Sequence, residues 1–214
     1  MIPSIVVCVS AVSCLLVAEW ADSRVAKAAA KMSAASAFLG MALASGATES
    51  TYGQILLAGL ALCWLGDACL LSPGQSTGFR VGIGAFLFAH LAYAIAFFRL
   101  GIDPVGFLVG ALVIGVLAAT ALRWLRPQVP NDFRAAVTSY VGVISIMIVA
   151  SIGAVAAGAP MILAIGAIVF GISDLFVARE RFVKSAFVNS ALGLPAYFGA
   201  QLLLAYSVRL TGAC

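Results

Sequence analysis

The chain has 214 residues, of which 64% are hydrophobic and only 9% are charged. Soluble domains carry about 25% charged residues, so the composition excludes a soluble domain of this size. The net charge of +4 comes from cations in short segments between apolar runs, which is not the pattern of a nucleic-acid-binding surface. We therefore expect an all-α protein with a single polytopic membrane domain, residues 1–214, and no nucleic-acid partner.

Eight apolar runs are long enough to cross a bilayer, which takes about 20 predominantly apolar residues. The first run lacks a basic leading segment, so we interpret it as a retained span and not as a signal peptide. The second is the least apolar, because Lys27 and Lys31 lie in its first turns. Gly and Pro mark most of the breaks, for example at Pro73 and Gly74. The expected spans are residues 2–20, 28–46, 54–71, 79–98, 104–123, 133–157, 160–178 and 184–207.

Basic residues are unevenly distributed between the two faces of this arrangement. All but two of the 12 Lys and Arg residues lie near the connections between the first and second, third and fourth, fifth and sixth, and seventh and eighth spans. Only Arg99 and Arg209 lie on the other face. The positive-inside rule makes the crowded face cytoplasmic. The sequence thus predicts a multi-pass protein of the cell membrane with both termini extracytoplasmic.

The two halves of the chain share a short pattern. LALCWLGDACLL at 60–71 and AIVFGISDLFVA at 167–178 both place a small residue before an aspartate, 107 positions apart. Four spans in each half would then form two parallel repeats. Similar helix composition is the alternative explanation of the match.

Asp67 and Asp174 are the residues that a membrane should least tolerate. Each lies about one turn inside the cytoplasmic end of an apolar span, where an ionised carboxylate costs several kcal/mol unless it finds partners. If the two converge, like charge and burial predict that one carries a proton beside an ionised neighbour. Such a pair is suited to acid–base chemistry. The alternative is that each aspartate only pins a neighbouring helix.

His90 is the only histidine, near the middle of the fourth span, and Tyr93 lies on the same helix face. A lone intramembrane histidine also serves as an interhelical hydrogen-bond link. One histidine excludes a three-histidine zinc site, and the five cysteines form no CxxC pair. Two aspartates and one histidine are a possible ligand set, but acid–base work suits them better, so we predict no metal and no cofactor.

Other polar residues lie inside the predicted spans. Individually such residues often bridge helices in membranes. Together they would line one cavity that opens toward the cytoplasmic leaflet: Lys31, Tyr140, Asn189, Tyr197 and Gln201.

Five motifs, in order, carry a family resemblance over about residues 27–207. They are GDACLL at 66–71, FRVGIGAFLFAHLAY at 79–93, SYVGVISIM at 139–147, ISDLFVARERF at 172–182 and AYFGAQLLLAYS at 196–207. The chain resembles the lysoplasmalogenase-like (YhhN) membrane proteins. The resemblance implies hydrolysis of the vinyl-ether bond of lysoplasmalogens, which gives a fatty aldehyde and a glycerophospho-alcohol. It therefore implies a lysophospholipid substrate drawn from the membrane lipids.

This chemistry matches the candidate residues. Protonation of the β-carbon of a vinyl ether gives an oxocarbenium ion, which water captures, so the reaction needs an acid, a stabilising anion and a base. We expect Asp67 and Asp174 to be catalytic, supported by His90, Tyr93, Tyr140, Asn189, Tyr197, Gln201 and Lys31. A basic rim would attract the phosphate, although the positive-inside rule alone also explains it: Lys31, Arg80, Arg179, Arg181 and Lys184.

Two other classes of protein remain open. A proton-coupled transporter or lipid flippase could use the same two aspartates for proton coupling. Breaks within the third and seventh spans would favour it, yet no proline interrupts either. A non-catalytic scaffold is the other alternative, but it has no use for two buried aspartates.

Overall fold

The computed structural model describes residues 1–72 and 76–211, so the predicted break at Pro73 and Gly74 lies outside the described residues. Within those ranges the chain forms eight α-helices and no strand. The helices are α1 (Ile2–Trp20), α2 (Arg24–Ala44), α3 (Thr51–Cys69), α4 (Thr77–Phe98), α5 (Pro104–Leu125), α6 (Asn131–Ala156), α7 (Ile162–Ala178) and α8 (Phe187–Thr211). A 3₁₀ turn follows α5 at Arg126–Gln128, and a π-helical turn follows α7 at Arg179–Val183.

The predicted spans coincide with these helices, with boundaries displaced by up to four residues. Side-chain caps explain several of the early starts. The oxygens of Ser23, Ser50 and Ser76 accept hydrogen bonds from backbone N–H groups in the first turns of α2, α3 and α4. Asp103 caps α5 in the same way. The last helix starts later than predicted, because the π-helical turn and an extended segment come first.

Seven of the described helices are long and apolar enough to span a membrane, and the protein is a multi-pass membrane protein. The remaining helix, α2, has the length but not the hydropathy, because Arg24, Lys27 and Lys31 lie in its first half. It nevertheless packs against α1, α3 and α8, and Ala34, Phe38 and several neighbours contribute to the core. Protein contacts thus cover one face of the least apolar helix, while Val25 and Leu43 remain exposed.

Equivalent helices pack in equivalent ways in the two halves. Helix α3 packs along α4 as α7 packs along α8, and α1 packs on α2 as α5 packs on α6. The halves join where α2 contacts α8 and α4 contacts α6. Helices α2, α3, α4, α6, α7 and α8 therefore form a ring, with α1 and α5 outside it. This arrangement agrees with two parallel four-helix repeats.

Helix α5 is the most exposed of the eight. Among its residues only Gly110 and Leu125 are buried, and its outer face presents a row of bare apolar side chains that includes Leu108 and Leu112. Such a face suits contact with lipid. The C-terminal ends of α1, α3, α5 and α7 lie at one end of the bundle, which we call the basic end.

Candidate functional site

Asp67 lies near the end of α3 and is 1% exposed. Its two oxygens have different partners. Lys31 from α2 places its Nζ 3.1 Å from Oδ1, and the hydroxyl of Tyr197 from α8 donates to Oδ2 at 2.7 Å. Close helix packing makes this possible, since a methyl group on the preceding Gly66 would lie 2.6 Å from the ring of Phe86. Asp67 therefore has a cation and a phenol as partners.

Further hydrogen bonds hold Tyr197 in place. The Nε2 of Gln201 donates to the Tyr197 hydroxyl at 3.2 Å, and Tyr93 donates to the Oε1 of Gln201 at 2.8 Å. The Tyr93 hydroxyl lies 3.6 Å from the sulfur of Cys63. All four side chains are buried. This chain of hydrogen bonds restricts the phenol that contacts Asp67 to one orientation.

Asp174 lies near the end of α7, and its side chain is 17% exposed. Tyr140 from α6 donates to its Oδ2 at 2.9 Å. His90 from α4 places its Nε2 3.4 Å from the same oxygen, without the alignment of a hydrogen bond. The partners of Asp174 are therefore a phenol and an imidazole, and no Lys or Arg forms an ion pair with it among the described residues.

The backbone determines which nitrogen of His90 faces Asp174 without a proton. His90 Nδ1 lies 2.6 Å from the carbonyl oxygen of Phe86, which can only accept a hydrogen bond. The proton of a neutral imidazole must then be on Nδ1, which leaves a lone pair on Nε2. If Asp174 were ionised, its carboxylate oxygen would face this lone pair, and the two would repel each other. The geometry therefore suits one proton held between His90 and Asp174.

The two aspartates occupy equivalent places in the two halves. Each receives one side chain from the second helix of its own half, Lys31 or Tyr140. Each also receives one from the last helix of the other half, Tyr197 or His90, which like the aspartates are 107 positions apart. The ring of Phe170 lies between these two side chains. Its centroid is 4.5 Å from that of His90 and 5.4 Å from that of Tyr197.

Both aspartates line one cavity of about 1000 Å³. Its polar wall at the basic end includes Lys31, Tyr140, Tyr197 and Asn189. Elsewhere the wall is apolar and comes largely from α5, α6 and α7. Typical members are Ile114, Leu117, Ile144, Ile148, Ile168 and Ile172. The cavity thus joins a polar end to a long apolar region.

The predicted site residues fall into two groups. Six lie on the cavity wall: Lys31, Asp67, Tyr140, Asp174, Asn189 and Tyr197. His90, Tyr93 and Gln201 lie behind it as hydrogen-bonded or contacting neighbours. Asn189 contacts neither aspartate and instead donates to Glu180 Oε2 at 2.6 Å.

Two residues near the site were not among the candidates predicted from the sequence. Glu180 lies on the cavity wall just beyond α7, and its position after the second Asp motif was the available signal. Cys63 contacts the Tyr93 hydroxyl, and nothing in the spacing of the cysteines indicated this contact. Across residues 1–72 and 76–211, no three His, Cys, Asp or Glu side chains are grouped closely enough to hold a metal ion.

Comparison with known proteins identifies the family. Lysoplasmalogenase TMEM86A of Bos taurus is 30% identical over 159 residues, which cover 71% of this chain and 64% of the relative. A lysoplasmalogenase of Mycobacterium tuberculosis is 31% identical over 157 residues, 70% of this chain and 58% of the relative. The chain thus spans less than two thirds of the length of these relatives. No solved structure matches it. The YhhN family model matches residues 26–208, and the chain belongs to the YhhN family.

Proposed function

We propose that this protein hydrolyses the vinyl-ether bond of lysoplasmalogen-type lipids, releasing a fatty aldehyde and a glycerophospho-alcohol. One observation carries the proposal: two carboxyl groups line the same cavity, one paired with a cation and the other with a neutral imidazole and a phenol. The relatives named lysoplasmalogenase support the substrate class.

In this proposal Asp174 is the acid. Its neighbours are an imidazole nitrogen without a proton and a phenol that donates to Oδ2, and the described residues provide no cation to stabilise its ionised form. The proton held between Asp174 and His90 is the one transferred to the β-carbon of the vinyl ether. His90 acts as a positioning residue and proton reserve, since it contacts Asp174 from behind the cavity wall.

Asp67 is the anion. The ammonium group of Lys31, 3.1 Å away, and the Tyr197 hydroxyl, 2.7 Å away, both stabilise a carboxylate. A fixed negative charge in a site of low dielectric constant lowers the energy of a nearby oxocarbenium ion. This is the role that the second carboxylate has in glycoside hydrolysis, where the transition state is similar.

The proposed reaction needs only the lipid and one water molecule as reactants. Asp174 gives its proton to the β-carbon, and the adjacent carbon becomes part of an oxocarbenium ion. Water adds to that carbon and gives a proton back to the Asp174 carboxylate, forming a hemiacetal. A carboxylate then takes the hemiacetal hydroxyl proton and returns it to the glycerol oxygen as the C–O bond breaks. One water is consumed, and both carboxyl groups return to their starting states.

The shape of the cavity supports a single-chain lipid. The apolar wall formed by α5, α6 and α7 suits an alkenyl tail, while the aspartates lie toward the basic end, where a polar headgroup would remain. Helices α3 and α7 carry the aspartates and run without interruption. That continuity favours a hydrolase over a transporter with broken helices.

The decisive experiment is turnover of a lysoplasmalogen by the purified protein in D₂O, with the aldehyde trapped by reduction and measured by mass spectrometry. We expect aldehyde with one deuterium on the carbon next to the carbonyl, since the proton transferred to the β-carbon exchanges with solvent. A lysophospholipid with a saturated alkyl ether is the matched control and should stay intact. Absence of aldehyde, or equal consumption of the saturated ether, would exclude this function.

We also propose that the basic end faces the cytoplasm and that both termini are extracytoplasmic in the cell membrane. The uneven distribution of Lys and Arg supports this orientation. A phosphatase fused to the C-terminus should then be active, and a green fluorescent protein fused there should be dark. The opposite pattern would place the cavity mouth in the other leaflet.

A further inference from the structure

Most basic residues around the cavity are already engaged. Lys31 pairs with Asp67. Lys27 lies 3.1 Å from Glu19 and 2.8 Å from Asp22, and its hydrogen bond to Asp22 lowers the pKa of that exposed carboxyl. The Lys31 ammonium cannot move away without leaving the buried Asp67 carboxylate unpaired, and the Lys27 ammonium already has two carboxylate partners. They are therefore poor candidates for binding a further anion.

The other members of the predicted basic rim are also accounted for. Arg80 pairs with Asp132 at 3.0 Å on the outside of the bundle, and Arg179 donates to Asn189 Oδ1. Lys184 is exposed and is not part of the cavity wall. The sequence alone could not show which of these cations have partners, because all of them follow the positive-inside pattern.

Arg181 differs from all of them. It lies on the cavity wall, is partly buried, and makes neither an ion pair nor a side-chain hydrogen bond with any described residue. Its guanidinium carbon lies 4.7 Å from the centroid of the Phe79 ring, which holds the group by a cation–π contact. No described residue uses any of its five N–H donors, which are therefore available to a ligand.

The segment that carries Arg181 is held rigidly. Glu180 accepts hydrogen bonds from Asn189 Nδ2 at 2.6 Å and from the backbone N–H of Ala186 at 2.9 Å. The backbone N–H of Lys184 donates to the Arg179 carbonyl at 2.8 Å and closes the π-helical turn. Such π-helical turns occur frequently at functional sites. This frame holds Arg181 at the mouth of the cavity, while its neighbours in sequence bind the loop.

We propose that Arg181 is the phosphate-binding residue of this cavity and holds the phosphodiester of a lysophospholipid at the basic end. The proposal rests on the proposed function for the choice of ligand. A planar guanidinium can donate two parallel N–H hydrogen bonds to two phosphate oxygens, a geometry that the compact ammonium group of a lysine lacks. The glycerol then extends inward from Arg181, and the ether bond reaches the two aspartates that line the same cavity.

Binding of lipids that cannot react tests this separately from catalysis. The probes are a saturated 1-O-alkyl lysophosphatidylethanolamine, the matching 1-O-alkylglycerol without phosphate, and inorganic phosphate, each titrated onto the purified protein in detergent micelles by calorimetry. The wild type should bind the phospholipid about 10- to 100-fold more tightly than the alkylglycerol, as expected for hydrogen bonds to a charged group. Arg181→Gln should abolish this preference, and Arg181→Lys should retain part of it.

Two control variants sharpen the result. Lys184→Gln removes an exposed cation three residues away and should leave the preference unchanged. Arg24→Gln removes an exposed cation on the cavity wall and should also leave it unchanged. The proposal is overturned if Arg181→Gln keeps the wild-type preference, if Arg24→Gln removes it, or if the wild type has none. Tight binding of inorganic phosphate alone would overturn a lipid headgroup site. If the wild type prefers the phospholipid but releases no aldehyde from a lysoplasmalogen, the proposed hydrolase function is refuted and the Arg181 site is not.

Discussion

The two aspartate clusters share a scaffold and differ in their chemistry. Asp67 and Asp174 occupy equivalent positions on α3 and α7, and each receives a side chain from the second helix of its own half and the last helix of the other half. Around Asp67 those side chains are a lysine and a tyrosine. Around Asp174 they are a tyrosine and a histidine.

In the proposed mechanism this difference would give two equivalent carboxyl groups different protonation states. An ammonium group 3.1 Å away favours the ionised form of Asp67. The imidazole lone pair that faces Asp174 favours a proton between the two groups. A change in the two side chains that contact each aspartate is enough to favour a different protonation state, and the arrangement of the helices stays the same. The predictions below test this contrast.

The largest effect should come from removing either carboxyl group. We expect Asp67→Asn and Asp174→Asn each to reduce lysoplasmalogen turnover by about 10⁴-fold, the upper range for groups that transfer protons. Both variants should still elute as the folded protein in size-exclusion chromatography. Asp132→Asn, which changes an exposed carboxylate paired with Arg80, is the matched control and should remain active. Near-normal turnover in either site variant would refute the catalytic pair.

Breaking the ion pair should make Asp67 resemble Asp174. We expect the wild type to show the infrared C=O stretch of one buried protonated carboxylic acid, which Asp174→Asn removes and Asp67→Asn does not. Lys31→Met should add a second such band, because Asp67 loses its cation. Turnover should fall by roughly 100- to 1000-fold, because a protonated Asp67 no longer stabilises the oxocarbenium ion.

Lys27→Met is the control for this experiment. It removes a cation one turn earlier on the same helix, whose partners are Glu19 and Asp22. The infrared spectrum should keep its single band. A wild-type spectrum without a protonated carboxyl band would contradict the proposed difference between the clusters.

A smaller effect is expected at His90. His90→Gln removes the imidazole but leaves Asp174 and Tyr140 in place, so we expect about a 100-fold loss, the lower range for proton-transfer groups. The wild-type pH profile should be bell-shaped, because catalysis needs one protonated and one ionised carboxyl group. Activity should fall on the alkaline limb as Asp174 loses its proton, and on the acid limb as Asp67 gains one. His90→Gln should shift the alkaline limb and leave the acid limb in place. A complete loss of activity would indicate that His90 is a ligand or the acid itself.

The smallest effect should come from chelators. The mechanism uses only carboxyl, phenol, imidazole and ammonium groups, so prolonged treatment with EDTA or phenanthroline should leave turnover unchanged. Activity lost on chelation and restored by a divalent ion would contradict the acid–base proposal. Asp67, Asp174 and His90 would then be the candidate ligands.

Much of the fold could be predicted from composition, because seven of the described helices meet the length and hydropathy required to cross a bilayer. The helix starts set by Ser23, Ser50 and Ser76 are also local features of the sequence. The two aspartates were recognisable as candidates because charge inside an apolar span is costly. These inferences need only a short window of sequence.

Which of the predicted supporting residues contacts which aspartate could not be predicted, because these residues come from distant helices. Tyr197 reaches Asp67 across 130 positions, and His90 and Asp174 are 84 positions apart. Which side chains meet depends on the order of helices around the ring, which hydropathy does not contain. The distinction between Arg181 and its neighbours had the same origin, since it depends on which cations already have partners.

The pairing of Lys31 with Asp67 has a consequence for how the chain enters the membrane. Helix α2 is too polar to partition into lipid readily by itself, and α3 would bring an unneutralised carboxylate with it. If they enter together as a hairpin, the Lys31 ammonium of α2 and the Asp67 carboxylate of α3 neutralise each other. We therefore expect α2 to depend on α3 for stable integration, so that a chain truncated after residue 50 leaves α2 outside the bilayer. A residue pair that prepares the anion for catalysis would also control an early step in the protein's biogenesis.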